Sequence, residues 1–82
     1  MPPELKGLVL YVREGCHLCD HFLVELSMDL GPAVEQLAVV DVDRDEELAS
    51  RFGLRVPVLE AGGEVLCEGF YDGAEVRRVL RV

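Results

Sequence analysis

The apolar positions change period several times along the chain, and each change falls at a turn-forming residue. Gly7–Val12, "GLVLYV", is a continuous apolar run of strand length, the pattern of a central strand buried on both faces. Arg13-Glu14-Gly15 breaks it. From Cys16 the period becomes helical: Leu18, Phe22, Leu26 and Leu30 recur four residues apart, and Cys19 and Leu23 widen the stripe. Gly31-Pro32 closes this helix in the usual order. Leu37–Val42, "LAVVDV", is a second strand. Asp43 is then placed to cap a short helix, and Glu46, three residues on, completes a capping box. Asp45, Glu46 and Glu47 suit the first turn, where the helix dipole favours negative charge. Leu48 and Phe52 form its buried edge and Gly53 ends it. Gly62-Gly63 supplies the two positive-φ residues of a tight hairpin between Val58–Ala61 and Glu64–Glu68. The closing "DGAEVRRVLRV" repeats the capping pattern with Asp72 and Glu75. Val76, Val79 and Leu80 face the core, and Arg77, Arg78 and Arg81 lie toward the C-terminal end, which favours cations.

The predicted order is β-α-β-α-β-β-α, an α/β domain. Its first βαβ unit should be parallel and right-handed. The hairpin then extends the sheet to four strands and makes it mixed, with helices on both faces covering two central apolar strands. The 82 residues suit one domain, 1–82, with no repeat, low-complexity segment or linker. Half the residues are hydrophobic and 29% are charged, which suits a soluble globular chain. No apolar run approaches the ~20 residues that cross a bilayer. The opening "MPPELKGLVLYV" has no small-residue cleavage site, so no signal peptide is expected, and the expected location is cytoplasmic. The net charge of −8 argues against nucleic acid and anionic membranes as partners, because both need clustered Lys and Arg.

Three cysteines are too few, and odd in number, for a disulfide-stapled scaffold. In a reducing compartment a close pair reads as catalytic or metal-binding. "CHLC", Cys16 to Cys19, stands where the first strand gives way to the first helix. The first-turn N–H groups lack intrahelical partners and point at the Cys16 sulfur. Helix-N-terminal CxxC thiols titrate at roughly 3.5–7.5, against ~8.5 for a free thiol. Cys16 would attack a partner disulfide and the more buried Cys19 would resolve the mixed disulfide. His17 and Arg13 favour the thiolate; Glu14 and Asp20 oppose it. Two other readings stand beside this one. "CHLCDH" offers Cys16, His17, Cys19 and His21 at zinc-ligand spacing, though closing the set would need His21, Cys67 or another subunit. The pair could also be small core residues, but Cys16 at a loop–helix junction should be accessible. Cys67 reads as a small apolar residue on a half-buried strand. Asp41–Glu47 lacks the glycine and terminal Glu of a calcium loop.

At this point the chain resembles the thioredoxin superfamily, and most closely its small glutaredoxin-like proteins. The resemblance rests on "CHLC" after "LVLYVREG", on "RVPV", on the glycine hairpin and on "EGFYDG" before the last helix, and it spans essentially the whole chain. It implies thiol–disulfide oxidoreduction with Cys16 and Cys19 catalytic. It implies that Pro57 is cis and faces the CxxC, and that the Val56 backbone pairs with substrate. Arg13, three residues before the first cysteine, matches a basic residue that contacts glutathione. Arg55 replaces the family's threonine before Val-Pro; it and Arg13 are candidates for a substrate carboxylate or for plain solvation. Asp72 and its helix N-terminus match the γ-glutamyl site, and His17 and Tyr71 complete the groove. Phe70 replaces a glycine there and narrows the room for the tripeptide. His17 replaces the usual proline after the first cysteine, and Leu10 stands where larger thioredoxins bury an acid. No organic cofactor is implied, because the dithiol carries two electrons itself; glutathione is a candidate co-substrate. The implied partners are a disulfide-containing protein or glutathione, with a thioredoxin-reductase-like flavoenzyme as a candidate electron donor. A metal or iron–sulfur module on the same fold is the alternative.

Overall fold

A computed structural model describes residues 7–80 of the chain. The opening hexapeptide and Arg81 lie outside the described residues. The elements run β1 (Leu8–Val12), α1 (His17–Leu30), a 3-10 segment Gly31–Gln36, β2 (Ala38–Asp41), a second 3-10 turn Val42–Arg44, α2 (Glu46–Phe52), β3 (Val58–Ala61), β4 (Glu64–Glu68) and α3 (Gly73–Leu80). One four-stranded sheet has the order β2-β1-β3-β4. β1 and β2 are parallel with Leu10 beside Val39, while β1–β3 and β3–β4 are antiparallel. The sheet is therefore mixed, as the element order predicts, and the fold is thioredoxin-like.

The central strands are β1 and β3, not β1 and β2. Because the hairpin adds on the far side of β1, β2 is left at an edge, and Val39 is exposed. One face of the sheet carries α1 and α3. Leu8, Leu10 and Leu59 meet Phe22, Leu26 and Leu30 of α1 and Val76 of α3 there. The other face carries α2, where Phe52 packs with Val42 and Val58 and stacks on Tyr11, ring centroids 4.6 Å apart. The buried line of α1 is Cys19, Phe22, Leu26 and Leu30; Leu18 falls outside it at 47% exposure. The four-residue series is right from Phe22 onward, but a 3.6-residue turn carries its first member off the buried face.

Two caps differ from expectation. Asp45, not Asp43, caps α2: its Oδ1 accepts the N–H groups of Glu47 and Leu48 at 2.8 and 3.3 Å. Asp43 sits in the preceding 3-10 turn and its carboxylate is used elsewhere. At α3 Asp72 does accept the Glu75 N–H, at 3.1 Å, but the Glu75 carboxylate pairs with Arg78 and so makes no return bond. The hairpin bounds match, with Gly62 and Gly63 at φ 58° and 88°.

Candidate active site

The site begins at the end of β1. The Arg13 carbonyl accepts the Cys16 N–H at 3.3 Å, and Gly15 takes a positive φ of 77° within this turn. Such a φ suits glycine, which has no Cβ to clash. Cys16 is thereby set as the N-cap of α1, and its Sγ accepts the Cys19 N–H at 3.1 Å. An orphan first-turn N–H and the positive end of the helix dipole thus act on the outer sulfur. Cys16 and Cys19 are joined as a disulfide with Cα atoms 5.2 Å apart. The two cysteines are not equivalent: Cys16 is half-buried, while Cys19 is only 4% exposed. Cys67 is the free cysteine. It is half-buried against the main core, and burial pushes its thiol up.

The Val56–Pro57 peptide bond is cis and Pro57 is fully buried. The Pro57 carbonyl accepts the Gly69 N–H at 2.8 Å, tying the Gly69–Asp72 loop to the start of β3. Val56 is half-buried against the α2 cluster and donates its N–H to Phe52. His17 opens α1 and is exposed. Tyr71 stands edge-on to Phe22, centroids 5.3 Å apart, and its hydroxyl donates to Asp29 Oδ2 at 2.5 Å. Arg77 Nη1 reaches the same oxygen at 2.9 Å. Burial first, and Asp29 second, push the Tyr71 phenol well above its ordinary range. Gly73 leaves room for this cluster, since a Cβ there would stand 2.6 Å from Arg77 Nη1.

The two arginines offered for ligand carboxylates are committed within the chain. Arg13 forks onto Asp43, with Nη2–Oδ1 at 2.8 Å and Nε–Oδ2 at 3.0 Å, and donates Nη1 to the Gly53 carbonyl at 3.0 Å. The parallel register puts Val12 beside Asp41, which brings Asp43 within reach. Gly53 is needed because a Cβ there would stand 2.9 Å from Arg13 Nη2, and against the Ala49 carbonyl as well. The Arg13 guanidinium holds the Asp43 carboxyl below the usual range. Arg55 forks onto Glu68 at 2.8 and 2.9 Å and lies over the Phe52 ring. Neither is the plainly solvated or ligand-seeking side chain expected from the sequence. Asp72, expected to hold a γ-glutamyl group, spends one oxygen on its own helix cap.

A cleft lies along α1, lined by Leu18, His21, Phe22 and Glu25 on one side and Gly69, Phe70 and Tyr71 on the other; Leu18, between the two cysteines in sequence, is its member nearest them along the chain. The helical period puts Leu18 on the core stripe, and "CHLCDH" offers His21 as a metal ligand; the structure places both in the cleft wall. The 18-21-25 spacing on a second flank of α1 is the signal that would have found this wall. Among the described residues, no three His, Cys, Asp or Glu side chains converge as a metal site. No described helix is long and apolar enough to cross a membrane.

The family model described as glutaredoxin-like domain (DUF836) matches residues 7–81. Among solved structures, protein XcR50 of X. campestris is 35% identical at a TM-score of 0.72, over 90% of this chain and 95% of that one. Protein Ne2328 of Nitrosomonas europaea is 31% identical at 0.72, over 98% and 93%. Glutaredoxin C1 of the poplar Populus tremula x tremuloides shares the fold at 0.55, with 19% identity over 92% and 75%. No curated protein matches the chain.

Proposed function

The chain belongs to the glutaredoxin-like domain family, and on that premise we propose that it is a thiol–disulfide oxidoreductase acting on protein or glutathione mixed disulfides. The observation that carries this reading is the asymmetric pair at the start of α1: an outer Cys16 sulfur that accepts a helix N–H, bonded to a buried Cys19. In the reduced protein the same N–H and the helix dipole favour a Cys16 thiolate. That thiolate attacks one sulfur of a substrate disulfide, and the other sulfur leaves as a thiolate. Cys19 then attacks Cys16, closing the intramolecular disulfide and releasing the second substrate thiol. Two electrons pass from the dithiol to the substrate, and no organic cofactor takes part. Glutathione or a thioredoxin-reductase-like flavoenzyme would return the dithiol, and the cytoplasm is the compartment in which it would work.

In the family pattern the substrate lies against Val56 and Pro57, with His17, Tyr71 and Asp72 around it. The bond from Gly69 to the Pro57 carbonyl supports that arrangement, because it makes the Tyr71–Asp72 loop one wall with β3. Arg13 has a different part. Held by Asp43 and Gly53, it braces the turn that sets Cys16 rather than reaching for a ligand.

Cys19→Ser removes the second step and leaves the first. It should accumulate a mixed disulfide at Cys16 when mixed with oxidised glutathione or a disulfide-bearing protein, seen as an added mass that thiol reductant removes. Cys16→Ser should form none at this site. If Cys19→Ser forms no adduct with either reagent while remaining folded, the assignment of roles is wrong.

A further inference from the structure

Starting from the oxidoreductase reading, we infer that the cleft along α1, which takes in Leu18 of the CxxC segment, selects a polypeptide disulfide carrying an apolar and a basic side chain, and disfavours glutathione. The first support is an apolar lip. Leu18, between the two cysteines, is 47% exposed, and Phe70, across the cleft, is 77% exposed. Large apolar side chains held in solvent on facing walls of a cleft mark a binding surface rather than a core. Phe70 is presented rigidly. Its neighbour Gly69 is bonded to Pro57, and its neighbour Tyr71 is locked to Asp29 and Phe22.

The second support is charge. Glutathione brings two carboxylates and one ammonium, so it needs cations. Among the described residues Arg13, Arg55, Arg77 and Arg78 are each paired with a carboxylate of the chain itself, and the unpaired Arg44 and Arg51 do not line the cleft. The cleft wall carries one fixed charge, Glu25, beside His21, and Asp20 stands exposed on the first turn of α1. Neither is in an ion pair among the described residues, and the whole chain carries −8. A basic segment is attracted to this surface and an anionic tripeptide is repelled.

The test holds the chemistry constant and varies the recognised part. Mixed disulfides of nitrothiobenzoate are made with glutathione, with a short Leu- and Lys-bearing cysteine peptide, with its Leu- and Glu-bearing counterpart, and with 2-mercaptoethanol. Pre-reduced protein is mixed with each, and nitrothiobenzoate release is followed. In each reaction the Cys16 thiolate attacks the non-aromatic sulfur and nitrothiobenzoate leaves as the more acidic thiol. Cys19 then closes the disulfide and frees the peptide or small thiol. The expected order at low salt is basic peptide faster than glutathione and the acidic peptide by tenfold or more, with the gap narrowing as salt is raised. Glu25→Lys should shift the ratio of basic to acidic peptide rates toward the acidic one. Equal rates for the two peptides and glutathione, with the mercaptoethanol reagent still reacting, would overturn the selectivity and leave the oxidoreductase reading standing. No reaction with the mercaptoethanol reagent would overturn both.

Discussion

Single side chains decide what this site can touch. Arg13 and Arg55 carry the charges that a carboxylate ligand would seek, yet each is closed into a fork with an acid of the same chain. Sequence cannot show this for Arg13, whose partner Asp43 is brought beside it only by the parallel register of β1 and β2. The pairing of Cys16 with Cys19 was legible, because a helical turn fixes their spacing whatever the rest of the chain does. Tyr71 is the residue whose chemistry gives the clearest readout. Its phenol is pushed up by burial and by Asp29, so the folded protein holds that proton more tightly than the unfolded chain. The stability it contributes is whole below the ordinary tyrosine value of ~10 and is lost as pH rises through the higher folded value. Tyr71→Phe should cost about 1 kcal/mol or less at neutral pH, since the bond is only partly sheltered. It should also remove the more alkaline of the two phenolate transitions followed by ultraviolet absorbance. An unchanged high-pH transition in the variant would show that the perturbed phenol is Tyr11.

At the scale of elements, what turns fix was readable and what packing fixes was not. Gly62-Gly63 dictates the hairpin, so the bounds of β3 and β4 match the expectation. The cap of α2 was misplaced because Asp41, Asp43 and Asp45 alternate, and each has the side chain for the task. Only the fold assigns Asp41 to the 3-10 turn, Asp43 to Arg13 and Asp45 to the helix. Likewise β2 reads as a central strand by composition and lies at an edge by pairing. Helix α1 both holds the cysteines and builds the core, and its Phe22 does both at once: 2% exposed, it packs under the sheet and backs Tyr71 in the cleft. Phe22→Ala should cost about 3–5 kcal/mol in chemical denaturation. That is a large share of the total for a small domain, which runs at about 0.05–0.15 kcal/mol per residue. A loss under 1 kcal/mol would mean the α1–sheet packing is not the main core.

Across the whole molecule the sheet serves as a frame for two local assemblies: the turn from β1 into α1 that sets Cys16, and the loop before α3 held to the start of β3. The bond Cys16–Arg13 closes the first, while Gly69–Pro57 and Tyr71–Asp29 fix the second to β3 and to the C-terminal end of α1. The core on one face includes Phe22 and Tyr71 of the cleft, while the smaller cluster on the other face packs against Val56.

The central claim is that Cys16 and Cys19 form one reversible two-electron couple from which Cys67 stands apart. Its most direct test equilibrates the protein in graded dithiothreitol redox buffers, quenches with acid, alkylates the free thiols and reads intact mass. The account predicts a single reversible transition from three alkylated thiols to one, with the remaining label on Cys67. Thiols that resist oxidation throughout, or a bridge that takes in Cys67, would contradict it.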